Sequence, residues 1–127
     1  MTRPLIAITM GDPAGIGAEV SLKALQQPEL YALCRPLLIG TRAVLEQTCV
    51  LLASGQTLQP VARPHDGQYT PGHVDVLDLS AEHPGPFPLG VVSKEGGAAA
   101  VAYVEKAIAL ALAREGDAIA TAPINKE

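Results

Sequence analysis

Ile8–Val20 reads ITMGDPAGIGAEV, and the character of the chain changes inside it. The apolar run Leu5–Thr9 (LIAIT) leads in; short, continuous and preceded by Pro4, it fits a buried strand. Three glycines and a proline follow within seven residues, Gly11 to Gly17. From Ala18 the apolar period becomes helical, with Ile16, Val20 and Ala24 on one face, Leu25 beside them and Pro28 as the stop. A strand that turns sharply into a helix through a glycine loop is the opening unit of a parallel α/β sheet.

The alternation recurs downstream. Leu37–Ile39, before Gly40, is a second strand. Thr41 is placed to cap a helix whose stripe is Val44, Thr48, Leu51 and Leu52, and Gly55 is placed to end it. Pro60–Gly90 carries six of the eleven prolines. Within it His73–Leu79 (HVDVLDL) alternates Val74, Val76 and Leu79 against polar positions, as a half-exposed or edge strand does, and Asp75, Asp78 and Glu82 read as solvated acids. Pro84–Gly90 (PGPFPLG) suits neither a ladder nor a helix and reads as a stiff surface crossing.

A long helix follows from Gly97 to about Arg114, with Val101, Val104, Ile108, Ala111 and Leu112 on one stripe and Gly116 as the stop. Ser93–Gly97 before it serves as a cap or as a second anion-facing loop. Asp117–Pro123 (DAIATAP) is a last short buried strand. Strands alternate with helices and no hairpin-length loop joins them. The expected fold is α/β: a mainly parallel sheet with helices on both faces, three layers in all.

Composition narrows the function. The 127 residues are 48% apolar, enough for a real core in one domain, while aromatics are only 3%. A net charge of −4 and few rings exclude a nucleic-acid partner. No apolar stretch approaches membrane-spanning length, and the first residues are too short and wrongly flanked for a signal peptide. Cys34 and Cys49 form neither a disulfide framework nor a CxxC pair, so a reduced, cytoplasmic setting is expected.

Ligands of such sheets sit beyond the carboxyl ends of the strands. Two loops leave strands there: Gly11–Gly17 after the first, and Pro123–Glu127 (PINKE) after the last. In the first, the glycines allow backbone angles and close approaches that a Cβ forbids. The order is GxxxGxG, neither the GxGxxG of dinucleotide sites nor a P-loop, and Pro13 removes a donor. Asp12 would repel a naked phosphate; it can instead accept from a hydroxyl, cap the helix or pair with a lysine. A tight turn with a capping acid explains the loop equally well. In the second, Thr121, Asn125 and Lys126 can present a hydroxyl, an amide and an ammonium to one cleft, or simply begin a solvated helix. His65, His73 and His83 lack metal-ligand spacing, and no Gly-x-Ser-x-Gly elbow is present.

Together the segments ITMGDPAGIGAEV, GGAAAVAYVEKAIALA (Gly96–Ala111) and DAIATAPINKE (Asp117–Glu127) resemble the 4-hydroxythreonine-4-phosphate dehydrogenase family. The wording of MGDPAGIG and PINKE is most similar to the branch acting on D-threonate or D-erythronate 4-phosphate. The resemblance implies the first domain of an isocitrate/isopropylmalate dehydrogenase-like two-domain fold. It further implies NAD, a divalent metal, a small phosphorylated hydroxy-acid substrate, oxidation with decarboxylation, and a cytoplasmic homodimer of pyridoxine biosynthesis or carbohydrate metabolism. It places the metal-holding histidines and the main substrate-phosphate and NAD contacts beyond the point matching Glu127. Residues 1–127 are therefore expected to form most of the N-terminal domain without the second, and to be inactive alone. No catalytic or metal-ligating role is assigned within them. Gly11, Asp12, Gly15, Gly17, Thr121, Asn125 and Lys126 are the expected cleft-facing residues. The rival expectation is a non-catalytic small-molecule or partner-binding module on the same half-fold.

Overall fold

The computed structural model of the chain describes residues 3–122. Among these residues are five strands and four α-helices, in the order β1 (Leu5–Thr9), α1 (Gly17–Ala24), α2 (Pro28–Leu33), β2 (Arg35–Gly40), α3 (Arg42–Leu52), β3 (Thr57–Pro60), β4 (His73–Asp78), α4 (Lys94–Leu112) and β5 (Ala118–Thr121). All strand pairs are parallel and the sheet order is β3-β4-β2-β1-β5. The expected parallel α/β architecture is the one observed.

The two faces of the sheet are covered differently. Along β1, Leu5, Ala7 and Thr9 are buried and alternate with half-buried Ile6 and Ile8. Ile6 and Ile8 face α1 and α2, sharing a groove with Val20, Ser21 and Leu30. Leu5 faces the other way, near Leu110 of α4 and the bend at Gly116. Travel from β1 to β2 and from β4 to β5 runs in opposite directions across the sheet. A right-handed crossover therefore puts α1 and α4 on opposite faces. The core combines Leu37, Leu38, Ile39, Val74 and Val76 of the central strands with Leu22, Leu25 and Leu45 from α1 to α3, and Ala99, Tyr103 and Ala107 from α4.

Several local expectations are corrected. Pro28 does not end α1, which stops at Ala24; it opens α2 at a first-turn position where its missing N–H costs nothing. α1 buries Ala18, Ser21 and Leu22, and Ile16, Val20 and Ala24 are exposed instead. α3 buries Leu45 and leaves Leu51 exposed, and its C-cap is Ala53 in the left-handed region rather than Gly55. α4 starts at Lys94, with the Ser93 side chain accepting from Gly96 N at 2.9 Å, so the cap reading of that loop holds. Its buried face is Gly96, Ala99, Ala100, Tyr103, Ala107 and Leu110, whereas Val101, Ile108 and Leu112 are exposed.

β4 is an inner strand, not an edge. The outer position belongs to β3, for which the sequence carries no strand signal. Asp75 is accordingly buried, at 1% exposure, and accepts from the amides of Gln68 and Tyr69 at 3.1 and 2.8 Å. β5, expected to be buried, is the opposite edge and is exposed at all four residues. Two hydrogen bonds with Leu5 anchor its start: Leu5 N donates to the Asp117 side chain at Oδ2, 2.7 Å away, and Asp117 N donates to Leu5 O at 2.8 Å.

Candidate functional site

β1 and β5 are neighbours and run the same way, with Thr9 opposite Thr121. Their exits therefore open at one edge of the sheet. Ala122 N donates to Thr9 O at 3.0 Å, and the Cβ of Ala122 lies 3.1 Å from the point where a Cβ on Gly17 would stand. The glycine loop and the segment leaving β5 are thus in contact at their roots. Thr121 is exposed beside them. Asn125 and Lys126 lie outside the described residues.

Within the loop the three glycines differ. Gly11 has φ +74°, a left-handed conformation that favours glycine. Gly17 has no room for a side chain, because Met10 O would lie 1.8 Å from its Cβ. At Gly15 a Cβ would meet Asp12 at an ordinary 3.5 Å, so the expected close approach is absent there. The freedom at Gly17 serves helix-on-strand packing rather than an anion cradle.

Asp12 is half-buried, and its Oδ1 accepts from Ala14 N at 2.9 Å, closing an Asx turn. It does not cap α1, whose N-cap, Ile16, makes no side-chain cap bond. The carboxylate lies instead against the start of α4: a Cβ on Gly96 would stand 3.4 Å from Asp12 Oδ1 and 3.1 Å from Ser93 Oγ. The positive end of a 19-residue helix favours a negative charge there. The chain reversal described above brings the two together, since it delivers α4 to the same edge from the other face.

Three further residues at this edge have partners other than those expected from the sequence. The Thr41 hydroxyl does not cap α3; it donates to His83 O at 3.5 Å and hydrogen-bonds the Tyr103 hydroxyl. Asp78 is not a free acid but accepts from the first amide of α3, Arg42 N, at 3.0 Å and from Ser80 N at 3.1 Å. Tyr103 is fully buried; burial pushes its hydroxyl up to about 12, the Thr41 hydrogen bond opposes this, and the charges of Asp78 and Asp12 add to it. A polar residue following a strand and preceding a helix was the available signal for Thr41. Nothing local links it to Tyr103.

The Pro-rich crossing covers this edge as a strap, tied to the glycine loop by Gly90 N donating to Ala14 O at 2.8 Å. Between the strap and the start of α4 lies a cavity of about 580 Å³ lined by Glu82, His83, Phe87, Ser93 and Glu95. Among the described residues, no three of the His, Cys, Asp and Glu side chains converge as a metal site. No helix among them is long and apolar enough to cross a membrane.

Residues 32–127 match the family described as Pyridoxal phosphate biosynthetic protein PdxA. The chain belongs to the PdxA family. Among PdxA relatives, D-threonate 4-phosphate dehydrogenase of Cupriavidus necator is 42% identical over 124 residues, covering 98% of this chain and 37% of that protein. A Symbiobacterium thermophilum protein provisionally given the same name is 51% identical over 126 residues, covering 99% of this chain and 38% of its own length. The crystal structure of a 4-hydroxythreonine-4-phosphate dehydrogenase from Burkholderia phymatum superposes with a TM-score of 0.92 at 38% identity, over 99% of this chain and 38% of that one. The chain thus spans well under half the length of these PdxA relatives.

Proposed function

We propose that this chain forms the first-domain wall of the active-site cleft in an NAD- and metal-dependent dehydrogenase. Its substrate would be a four-carbon hydroxy-acid phosphate, D-threonate 4-phosphate or 4-phosphohydroxy-threonine, oxidised with decarboxylation. The observation that carries the reading is the shared exit of β1 and β5, where Ala122 packs against the glycine loop at Gly17. The dehydrogenase names of the relatives support it.

The residues described do not themselves fit either cofactor. The carboxylate of Asp12, the missing N–H of Pro13 and the crowding at Gly17 unsuit the loop to a pyrophosphate. The side chains present gather no metal set. The role left to this chain is positioning. Asp12 orients a polar group at the mouth of the cleft, either a substrate hydroxyl or the Lys126 ammonium. Lys126 offers positive charge where the substrate gathers negative charge.

The test is a chimera joining residues 1–127 to the remainder of the Symbiobacterium relative. It should reduce NAD with a four-carbon sugar-acid phosphate, and Lys126→Ala should lower kcat/KM with little change in stability. The 127-residue chain alone should not turn over. An inactive but folded chimera would favour the rival, a non-catalytic binding module, whose supporting observation is the apolar surface beside β5.

A further inference from the structure

Little holds the strap segment Pro84–Val92 to the rest of the fold. Pro84, Pro86 and Pro88 have no N–H to donate. Among the described residues, the segment's one hydrogen bond to another element is from Gly90 N to Ala14 O, at 2.8 Å. Its one side chain packed on the core is Phe87. Space lies on both sides. The cavity of about 580 Å³ separates it from the start of α4, and a second of about 290 Å³ separates it from Ala43, Val44 and Gln47 of α3. A fixed surface crossing packs against what it crosses, whereas this one stands between two voids.

The segment is stiff between two joints. Proline rings lock φ at every second residue from Pro84 to Pro88, so that stretch moves as a unit. Gly85 and Gly90 bracket Pro86–Leu89 with φ +84° and +76°, a region that glycine enters and leaves at no steric cost. Beyond the second joint Val91 and Val92 are 50% and 59% exposed, and Leu89 before it is 59% exposed, an apolar rim with no cover. Both roots are tied down: His83 O accepts from the Thr41 hydroxyl, and Ser93 caps α4.

Ala14 links the segment to the candidate site. Its N–H donates to Asp12 Oδ1 at 2.9 Å, and its carbonyl accepts from Gly90 N. We propose that Pro84–Val92 is a gate over the cleft, hinged at Gly85 and Gly90 and latched through Ala14 to Asp12. Latched, it covers the edge; unlatched, it swings about its roots and uncovers the mouth. A ligand that takes the other oxygen of the Asp12 carboxylate holds the Asx turn in place, keeps the latch made and closes the gate over itself, shedding water. The ligand rests on the reading of this chain as one wall of a dehydrogenase cleft; the weakly held segment does not.

Amide hydrogen exchange tests the latch at the bond that makes it. In the 127-residue chain, Gly90 N–H should exchange at least about a hundredfold faster than the amides of β2, through an opening that low urea does not promote. Asp12→Ala should speed Gly90 a further tenfold or so relative to β2, and Asp12→Asn, which keeps the Asx turn, should restore the parent rate. In the chimera described above, D-threonate 4-phosphate should slow Gly90 about tenfold or more. A Gly90 amide that exchanges at the rate of β2 would overturn the gate, because the strap would then open only when the whole fold does. So would an Asp12→Ala variant with no selective effect on Gly90. If Asp12→Ala does not fold, Gly90→Ala gives a second reading, since alanine resists the latched φ. Chymotrypsin should then cut after Leu89 several-fold faster, relative to a peptide of the same segment, with the unfolding midpoint nearly unmoved; unchanged cutting overturns the proposal. An active chimera whose substrate leaves Gly90 exchange unaltered would remove the gate alone. A folded, inactive chimera whose latch still answers to Asp12→Ala would remove the dehydrogenase reading alone.

Discussion

The carbonyl oxygen of Met10 stands 1.8 Å from where a Cβ on Gly17 would be, whereas the nearest atom to a Cβ on Gly15 is 3.5 Å away. Two glycines in one loop therefore make opposite forecasts. Gly17→Ala forces α1 off the end of β1 and should cost roughly 3 kcal/mol, read as a lower urea midpoint. Gly15→Ala should stay within about 1 kcal/mol of the parent, because its conformation does not require glycine. If Gly15→Ala also abolishes activity in the full-length chimera, the need for glycine there comes from the cleft and not from the fold.

All three tyrosines, Tyr31, Tyr69 and Tyr103, are pushed up to about 12, chiefly by burial. In Tyr31 and Tyr69 the charge of Asp75 adds to the shift. The native hydroxyls hold their protons above the ordinary value of 10.0, so the unfolded chain releases protons first as pH rises. The stabilisation is whole below about pH 10 and is lost between about 10 and 12. With no tryptophan to interfere, tyrosinate absorbance should stay low near pH 11 in the folded protein and be nearly complete in urea. A native titration midpoint near 10 would show that the rings are hydrated.

Asp75 sits beneath that behaviour. Its two oxygens take the amides of Gln68 and Tyr69 and so hold the turn that seats the Tyr69 ring. Asp75→Ala leaves two amides without an acceptor and should cost about 2–4 kcal/mol by denaturant unfolding. Asp75→Asn should cost less and should also bring the onset of tyrosine ionisation to lower pH, because one of its causes is gone.

The same residue shows where sequence reading stops. In HVDVLDL the alternation is real, but period alone cannot tell an acid facing water from one facing a ring of backbone amides. β3 (TLQP) has too little alternation to announce a strand, and its pairing partner lies sixteen residues on, at His73. Parallel order, the glycine loop and the shared edge of β1 and β5 were legible because each follows from local spacing plus the handedness of crossovers. The Thr41–Tyr103 hydrogen bond joins residues 62 apart and left no local trace. The apolar stripes expected on α1 and α4 are largely exposed, with Val20, Val101, Ile108 and Leu112 all facing outward. The faces that pack on the sheet are instead Ala18, Ser21 and Leu22 in α1 and Ala99, Tyr103, Ala107 and Leu110 in α4, equally compatible with helical spacing.

The acid at the mouth of the glycine loop allows its two roles to be separated. Asp12 closes the Asx turn through Oδ1, a bond that an asparagine side chain can also accept, so Asp12→Asn keeps the turn. What it removes is the charge facing the start of α4, worth about 0.3–1 kcal/mol. Stability should therefore fall only slightly, while Asp12→Ala, which also loses the turn, should fall further. If the carboxylate orients a substrate hydroxyl or Lys126, Asp12→Asn in the chimera should lower kcat/KM by about tenfold or more, far beyond its effect on unfolding. A variant that loses activity only in proportion to its stability would confine Asp12 to the turn.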